Sequence, residues 1–416
     1  MPEFGFVGPT YVAASITQDD QETINWFPEI DATKPQGERG VLALYPTPGL
    51  VLRLQSATVG EVRAMHVIPG GSLCLMVIGS ILYSVTQTYI ATAVGTLTTN
   101  NGACSITDNG TSAYITDGQN RYTYVWSTAA FAQVSNADGP FIGGGVCDEV
   151  DNFIIYTRPG TNQWGQTNVA STISGALNLG TKLGSSDNIV SLITNQRDVH
   201  LLGEQTSEVW IDTGSFPFAF QIIPGTSMQH GCIAPRSVYR LGESFAFLSQ
   251  DTRGVAVAVM MKGYAPQRFS THATEQAWST YATVADAVAY TYQQGGHEFY
   301  MLSFPTADAT WCYDLASEMW HKRGWRDGAN VVHRHRSNCA AVFNGEVIVG
   351  DWQNGRVYSF SLQTFTDNGD TIPCVRRCRH LTEDLKREYF HDLQLQFQPG
   401  MGLQTGQGSD PKAMLQ

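Results

Sequence analysis

Val62-Arg-Ala-Met-His-Val67, Leu73-Cys-Leu-Met-Val-Ile78 and Ile81-Leu-Tyr-Ser-Val85 are three apolar runs divided by short polar or glycine turns. Each run has the length and β-branched content of a strand, and three in a row read as a meander. The unit then returns. Ala103-Cys-Ser-Ile-Thr107, Ala113-Tyr-Ile-Thr-Asp-Gly118 and Tyr122-Thr-Tyr-Val-Trp126 follow in the same order, then Gly145-Val-Cys-Asp-Glu-Val150 with Phe153-Ile-Ile-Tyr-Thr157. A fourth unit holds Ile189–Ile193, Asp198–Gly203 and Glu208-Val-Trp-Ile-Asp-Thr-Gly214; a fifth spans Ser237–Leu241, Ser244–Ser249 and Gly254–Met260. A sixth holds Ala285–Tyr292, His297–Phe304 and Thr310–Leu315, and the last runs from Ala340 through Asn344-Gly345, a strong hairpin turn, to Phe360.

Meanders at a spacing of about 40 to 50 residues are the signature of a β-propeller, in which no single blade can bury both its faces. The fold expected is all-β, a six- or seven-bladed propeller over 61–365. Between the fifth and sixth units, Ser270-Thr-His-Ala-Thr-Glu-Gln-Ala-Trp278 predicts one short helix capped by Ser270 or Thr271.

The flanks break the pattern. Residues 1–60 carry Asn25-Trp26-Phe27-Pro28-Glu29 and Leu44-Tyr45-Pro46-Thr47-Pro48-Gly49-Leu50. Proline at alternate positions excludes a central strand or a helix, so an extended N-terminal arm is expected, whose Trp26, Phe27 and Tyr45 must be buried against the propeller or a neighbouring subunit. Residues 366–416 read as the start of an incomplete, sandwich-like β-domain, with Leu393, Leu395 and Phe397 alternating with glutamines as a half-buried strand.

Composition narrows the function. With 37 acidic against 25 basic residues the net charge is −12, which argues against binding nucleic acid by neutralising phosphates. Met1-Pro-Glu-Phe-Gly-Phe6 lacks the basic and apolar regions of a secretion signal, and the eight cysteines show no paired spacing except Cys374 and Cys378. Free thiols and assembly in a reducing cytoplasm are the expectation. No run of about 18 apolar residues is present, so no membrane segment is expected.

Candidate chemistry is sparse. Asp286, His297, Glu298, Asp314 and Glu318 form the densest titratable cluster, but on strands they alternate faces and read as rim groups rather than an acid–base pair. His333 and His335 are spaced as a metal pair on one strand, yet no carboxylate or cysteine accompanies them at ligand spacing, so a solvated or interface strand is the better reading. Cys374 and Cys378 resemble half a metal site without its other half. Gly143-Gly144-Gly145 opens no helix and lacks the Lys-Ser/Thr of a phosphate loop. Six tryptophans (Trp164, Trp210, Trp311, Trp320, Trp325 and Trp352) would suit a glycan-binding or glycan-degrading propeller, although Trp on blades is more often core. Arg376, Arg377 and Arg379, with His380, Lys386 and Arg387, are the one basic concentration and offer a solvated face or a docking patch for an acidic partner. No catalytic residue, cofactor or metal follows from these patterns.

The order of Asn25–Glu29, Tyr45–Leu50, Glu208–Gly214 with Phe216-Pro217-Phe218, Gly231-Cys-Ile-Ala-Pro235, Ala265–Thr271, Gly296-His-Glu-Phe-Tyr-Met-Leu302 and Trp311–Arg323 resembles the packaged-DNA stabilisation family of short-tailed bacteriophages. The likeness spans nearly the whole chain. It implies a non-enzymatic virion protein of the tail, a head-to-tail connector of six copies in a ring below the portal and its adaptor. Such a ring closes the DNA exit, lets genomic DNA pass without specific binding, and docks the tail needle and tail spikes. Members of that family continue past the point matching Gln416, so the resemblance also implies that the last domain is cut short. For the interface, the residues expected are Trp26, Phe27 and Tyr45 of the arm and Arg376, Arg377 and Arg379 of the basic patch.

Overall fold

The structure, a computed structural model, describes residues 6–13, 20–31, 33–34, 42–135, 138–250, 256–378, 389, 392 and 394–396. Eight sheets form among them, and one is a two-stranded hairpin. The other seven are blades: blade 1 (62–96), blade 2 (105–133), blade 3 (147–181), blade 4 (189–222), blade 5 (231–268), blade 6 (288–326) and blade 7 (337–361). Their innermost strands neighbour one another round a ring whose last member lies beside the first. The six or seven blades expected resolve to seven.

Why the ring holds is seen in where the apolar residues go. Strand residues alternate between the two faces of a blade, so each blade has an apolar face for each neighbour. Seven buried clusters result, one in each seam between adjacent blades. Trp164, Trp210, Phe153 and Phe220 fill the seam of blades 3 and 4; Trp278, Trp311, Trp320 and Leu248 fill that of blades 5 and 6. The Asn344-Gly345 turn forms as expected, with both residues at positive φ and Phe343 opposite Glu346.

The predicted helix is α1 (His272–Ser279). Thr271 caps it, its hydroxyl accepting from Thr274 N while Thr274 Oγ1 accepts from Thr271 N. The helix packs Trp278 into the seam of blades 5 and 6.

The described flanking segments lie against the propeller, one of the two places expected for the N-terminal arm. Four strands lie before blade 1: β1 (Glu22–Ile24), β2 (Trp26–Ile30), β3 (Leu42–Pro46) and β4 (Gly49–Gln55). Strand β4 pairs antiparallel with Arg356–Ser361 and is the outermost strand of blade 7, so the chain's own N-terminal part closes the ring. The prolines permit this because they stop just short of it, at Pro46 and Pro48. Strand β1 is added to the outer edge of blade 6, beside Met319–Arg326. C-terminal residues then cover both additions: Thr366–Asp367 pairs with β4, and Val375–Arg377 pairs with β1. Blades 6 and 7 are thus clasped by both ends of the described chain. Of the strand expected over Leu393, Leu395 and Phe397, only 394–396 are described and they form no strand; Leu393, Phe397 and Arg379 lie outside the described residues.

Candidate assembly surface

Strands β2 and β3 form the hairpin that belongs to no blade, and Trp26 opposite Pro46 marks its base. It lies over the seam of blades 6 and 7, pinned at three points. Asn25, between β1 and β2, is buried at φ 56. Its side-chain amide donates to Gly324 O and Pro373 O, both at 2.7 Å, and its Oδ1 accepts from Gly324 N at 3.0 Å. One side chain therefore ties the N-terminal segment, blade 6 and the C-terminal segment together, and asparagine tolerates the left-handed backbone that this needs.

Phe27 is the second pin. Its ring is buried edge-on against Phe299 and His297, at 5.1 and 5.0 Å, and stacks on Tyr45 at 5.9 Å. The third is His297, at the start of the second strand of blade 6. Its Nδ1 lies 2.8 Å from Asp314 Oδ2, and its Nε2 pairs with Glu29 of β2. Burial opposes charge on His297, but Asp314 and Glu29 outweigh it and hold the imidazole above its ordinary value.

Beneath the hairpin the seam is polar. Arg323 is buried with its guanidinium over the Tyr292 and Phe299 rings, at 5.3 and 4.9 Å, and its Nε donates to His321 Nε2. Burial, helped by Arg323 and His297, keeps His321 well below its ordinary value. Burial also lifts the Asp367 carboxyl to about 7, against the pull of Arg336 and Arg323.

Of the two readings of His333–Arg336, a solvated or an interface strand, the solvated one does not hold. Arg334, His335 and Arg336 are all buried, with Arg334 over Trp352 at 4.0 Å and Arg336 over Trp325 at 3.6 Å, and Arg336 also pairs with Asp370. Burial first, then Arg323 and Arg336, lowers His335 to about 3. Cation–π stacking takes the two arginines off the surface. His333 sits between Asp308 and Asp327. Among the described residues no group of three or more His, Cys, Asp or Glu is placed to hold a metal.

The other sequence candidates disperse. His297 and Asp314 do meet, but Glu298 accepts from Gly242 N, Asp286 accepts from Thr306 N, and neither joins them. Trp164, Trp210, Trp311 and Trp320 are core, and Trp325 and Trp352 are covered by arginines, so none of the six is a bare platform for a sugar. Burial raises the thiols of Cys104, Cys232, Cys312 and Cys339 to about 12, which makes them inert packing groups.

Of the expected interface residues, Phe27 is committed inside its own chain and Trp26 is half-buried. Tyr45 is 50% exposed, and Ile30 and Leu42, on the other face of the hairpin, are exposed too. Arg376 is also committed: it donates to the carbonyls of Phe6, Gly8 and Pro9, to Thr23 Oγ1 and to Gln21 Oε1. Arg377 is exposed, 3.8 Å from Glu22. Sequence reasoning missed Asn25, Arg323 and Asp367. Asn25 stood inside a quoted motif, but its partners are about 300 or more residues away, as its hydrogen bonds show, and no local pattern marks them.

The axis of the propeller bears on function as well. Where the inner strands begin, Arg236 of blade 5 reaches Glu61 at the entry to blade 1, Nη1 to Oε1 at 2.8 Å, and Asn338 of blade 7 donates to the same oxygen. Blades 5 and 1 are three places apart round the ring, so this ion pair bolts the axis at that face.

Comparison with known proteins agrees with this architecture. The extracellular domain of a proposed one-component system from B. thetaiotaomicron superposes with a TM-score of 0.50 at 10% identity, over 75% of this chain and 40% of that one. This chain therefore spans less than half of that protein's length. The WD40 domain of Neurospora crassa Pan2 gives 0.47 at 9% identity, over 75% and 94% of the two chains. The N-terminal domain of Nup159 gives 0.45 at 9%, over 76% and 95%. Only the first reaches a TM-score of 0.50, and at 10% identity that likeness speaks for the fold alone. No curated protein matches the sequence. A family model does: that of the phage stabilisation proteins, described as bacteriophage P22 Gp10, β-propeller, matches residues 23–365. With the match running from β1 through all seven blades, the chain belongs to that family of phage structural propellers.

Proposed function

We propose that the chain is the tail hub of a short-tailed phage. Several copies, six by the resemblance, form a ring below the portal and its adaptor, close the exit to retain the packaged genome, and dock the tail needle and spikes. It would join the virion during assembly in the host cytoplasm and carry out no catalysis.

The β2–β3 hairpin is the observation that carries this reading. It belongs to no blade, is held by Asn25, Phe27 and His297, and among the described residues the far edge of β3 is unpaired while Ile30 and Leu42 on one face and Tyr45 on the other are exposed. A fixed apolar hairpin with a free strand edge is an interaction element. Two further points support a ring. The bolted axis leaves the passage for DNA to a lumen between copies, and a net charge of −12 gives phosphates little to hold them there.

Light scattering or native mass spectrometry, on the protein alone and mixed with portal and adaptor rings, tests this. A preformed ring, or six copies adding to the template, is the expected result. A monomer indifferent to the rings would sink the proposal.

A further inference from the structure

We infer that the outer rim of blades 3 and 4 is the surface on which a second copy of this chain seats its β2–β3 hairpin. This rests on the ring reading above and names the two faces that meet.

The rim is built by two loops. Residues 167–178 join the third and outermost strands of blade 3, and residues 213–219 do the same in blade 4. The second loop packs on the third strand of blade 3: Ala219 N donates to Gln166 Oε1 at 2.9 Å, and Phe218 lies edge-on to Trp164 at 5.0 Å. Four large apolar side chains project from the two loops, Val169 at 59%, Ile173 at 57%, Leu177 at 70% and Phe216 at 96% exposure. A side chain such as Phe216, left almost wholly in water at the tip of a short loop, is what an interface anchor looks like before its partner arrives.

Charge says which partner fits. Residues 159–181 and 213–229 contain no Asp, Glu, Lys or Arg, on a chain whose net charge is −12. Two copies of an acidic protein repel everywhere except where charge is absent, and an interface core is depleted of charge. The described part of the hairpin matches, because its Glu29 is paired with His297 and its Asp31 with Lys34. Both faces are apolar and electrically balanced.

Position completes the argument. In a seven-bladed ring the seam of blades 6 and 7, under the hairpin, stands opposite blade 3, which carries the first of the two rim loops. Each loop lies on the face where the third strand of its blade ends, which is also the face of Asp314 and of its partner His297 under the hairpin. Hairpin and rim therefore occupy one face at opposite sides of the disc. Unlike surfaces make head-to-tail contacts, which close into a ring where the rotation from copy to copy permits it.

The test uses Phe216→Glu and, separately, Leu177→Glu, both on exposed side chains, with melting curves to confirm the fold. Native mass spectrometry on the full chain with portal and adaptor rings is the readout, and hydrogen exchange of the wild-type ring against its monomer is the second. We expect each variant to remain folded yet fail to join the ring, and 167–178 and 213–219 to gain protection in the wild-type ring together with 26–46. Variants that assemble normally, or that assemble but lose only another tail component, would overturn the inference and leave the hub intact. A wild type that never forms rings would overturn both.

Discussion

The seam of blades 3 and 4 and the seam of blades 6 and 7 do the same job by opposite means. The first is closed by residues close in sequence, with Trp164, Trp210, Phe218 and Phe220 in mutual edge contact and the chain passing directly from one blade to the next. The second must join the two ends of the described chain, and it does so with four added strands and the buried polar pins Asn25 and His297. Apolar packing is non-directional and tolerant of register. Polar pins with fixed partners suit a junction where distant segments must meet in one arrangement, because a misplaced segment leaves buried donors unpaired. A clasp of this kind trades some stability for specificity.

The largest test of the difference is truncation within each seam. Trp164→Ala and Phe27→Ala each empty a buried aromatic site and should cost about 3–5 kcal/mol. Their routes differ. Hydrogen exchange should show Trp164→Ala loosening blades 3 and 4 and Phe27→Ala loosening 22–47 and 366–377. Equal loosening of the whole ring by both would mean that the seams are not separate units. Asn25→Ala should follow at about 2–4 kcal/mol, since it strands two buried carbonyls and one amide and places a Cβ-bearing residue without side-chain support at φ 56. Asn25→Gly should relieve the backbone part only. If Asn25→Gly melts with the wild type, the amide is not a pin.

These contrasts explain what could be read in advance. Blades, turns and α1 follow from local patterns: Asn344-Gly345 demands its turn, Thr271 its cap, and alternation fixes which residues face a seam. The seven seams needed no more than that. The clasp was illegible because its partners lie at opposite ends of the chain, and because a strand of three residues such as β1 or Val375–Arg377 carries no periodicity to detect. Prolines near Pro46 and Pro48 argued for an arm where the chain in fact bends into blade 7. Arg334 and Arg336 were read as surface because arginine usually is, and nothing local signals that Trp352 and Trp325 cover them.

Asp367 sharpens the comparison further. Its carboxyl is raised to about 7 in the folded chain, so the folded state is favoured while Asp367 keeps its proton and is penalised as pH rises from the ordinary carboxylate range through 7. Asp367→Asn should therefore raise the melting temperature at pH 8, by the equivalent of about 1–4 kcal/mol at most given the size of that shift, and leave it unchanged near pH 4. A loss of stability at pH 8 would show that the ionised carboxylate is itself paired in the fold.

The smallest expected effect sets the two seams against each other by pH. His297, held above its ordinary value by Asp314 and Glu29, stabilises fully below that ordinary value and loses its contribution as pH climbs through the raised one. Asp187 behaves in the opposite sense in the link between blades 3 and 4. Burial opposes its ionisation, but Lys182, the amides of Gln205 and Thr206, and the Thr206 hydroxyl hold it well below the carboxylate range, so its contribution is present near neutrality and lost on acidification. Raising pH from 6 to 9 should thus release amide protection in 22–47 and 366–377 while sparing 182–210, and lowering pH toward 3 should release 182–210. His297→Gln should abolish the first dependence in 22–47, leave in 366–377 the part that Asp367 contributes, and not touch the second. If both segments loosen together at either extreme, the hairpin is held by its apolar contacts alone, and the Glu29–His297–Asp314 bridge is a consequence of Phe27 packing rather than a pin in its own right.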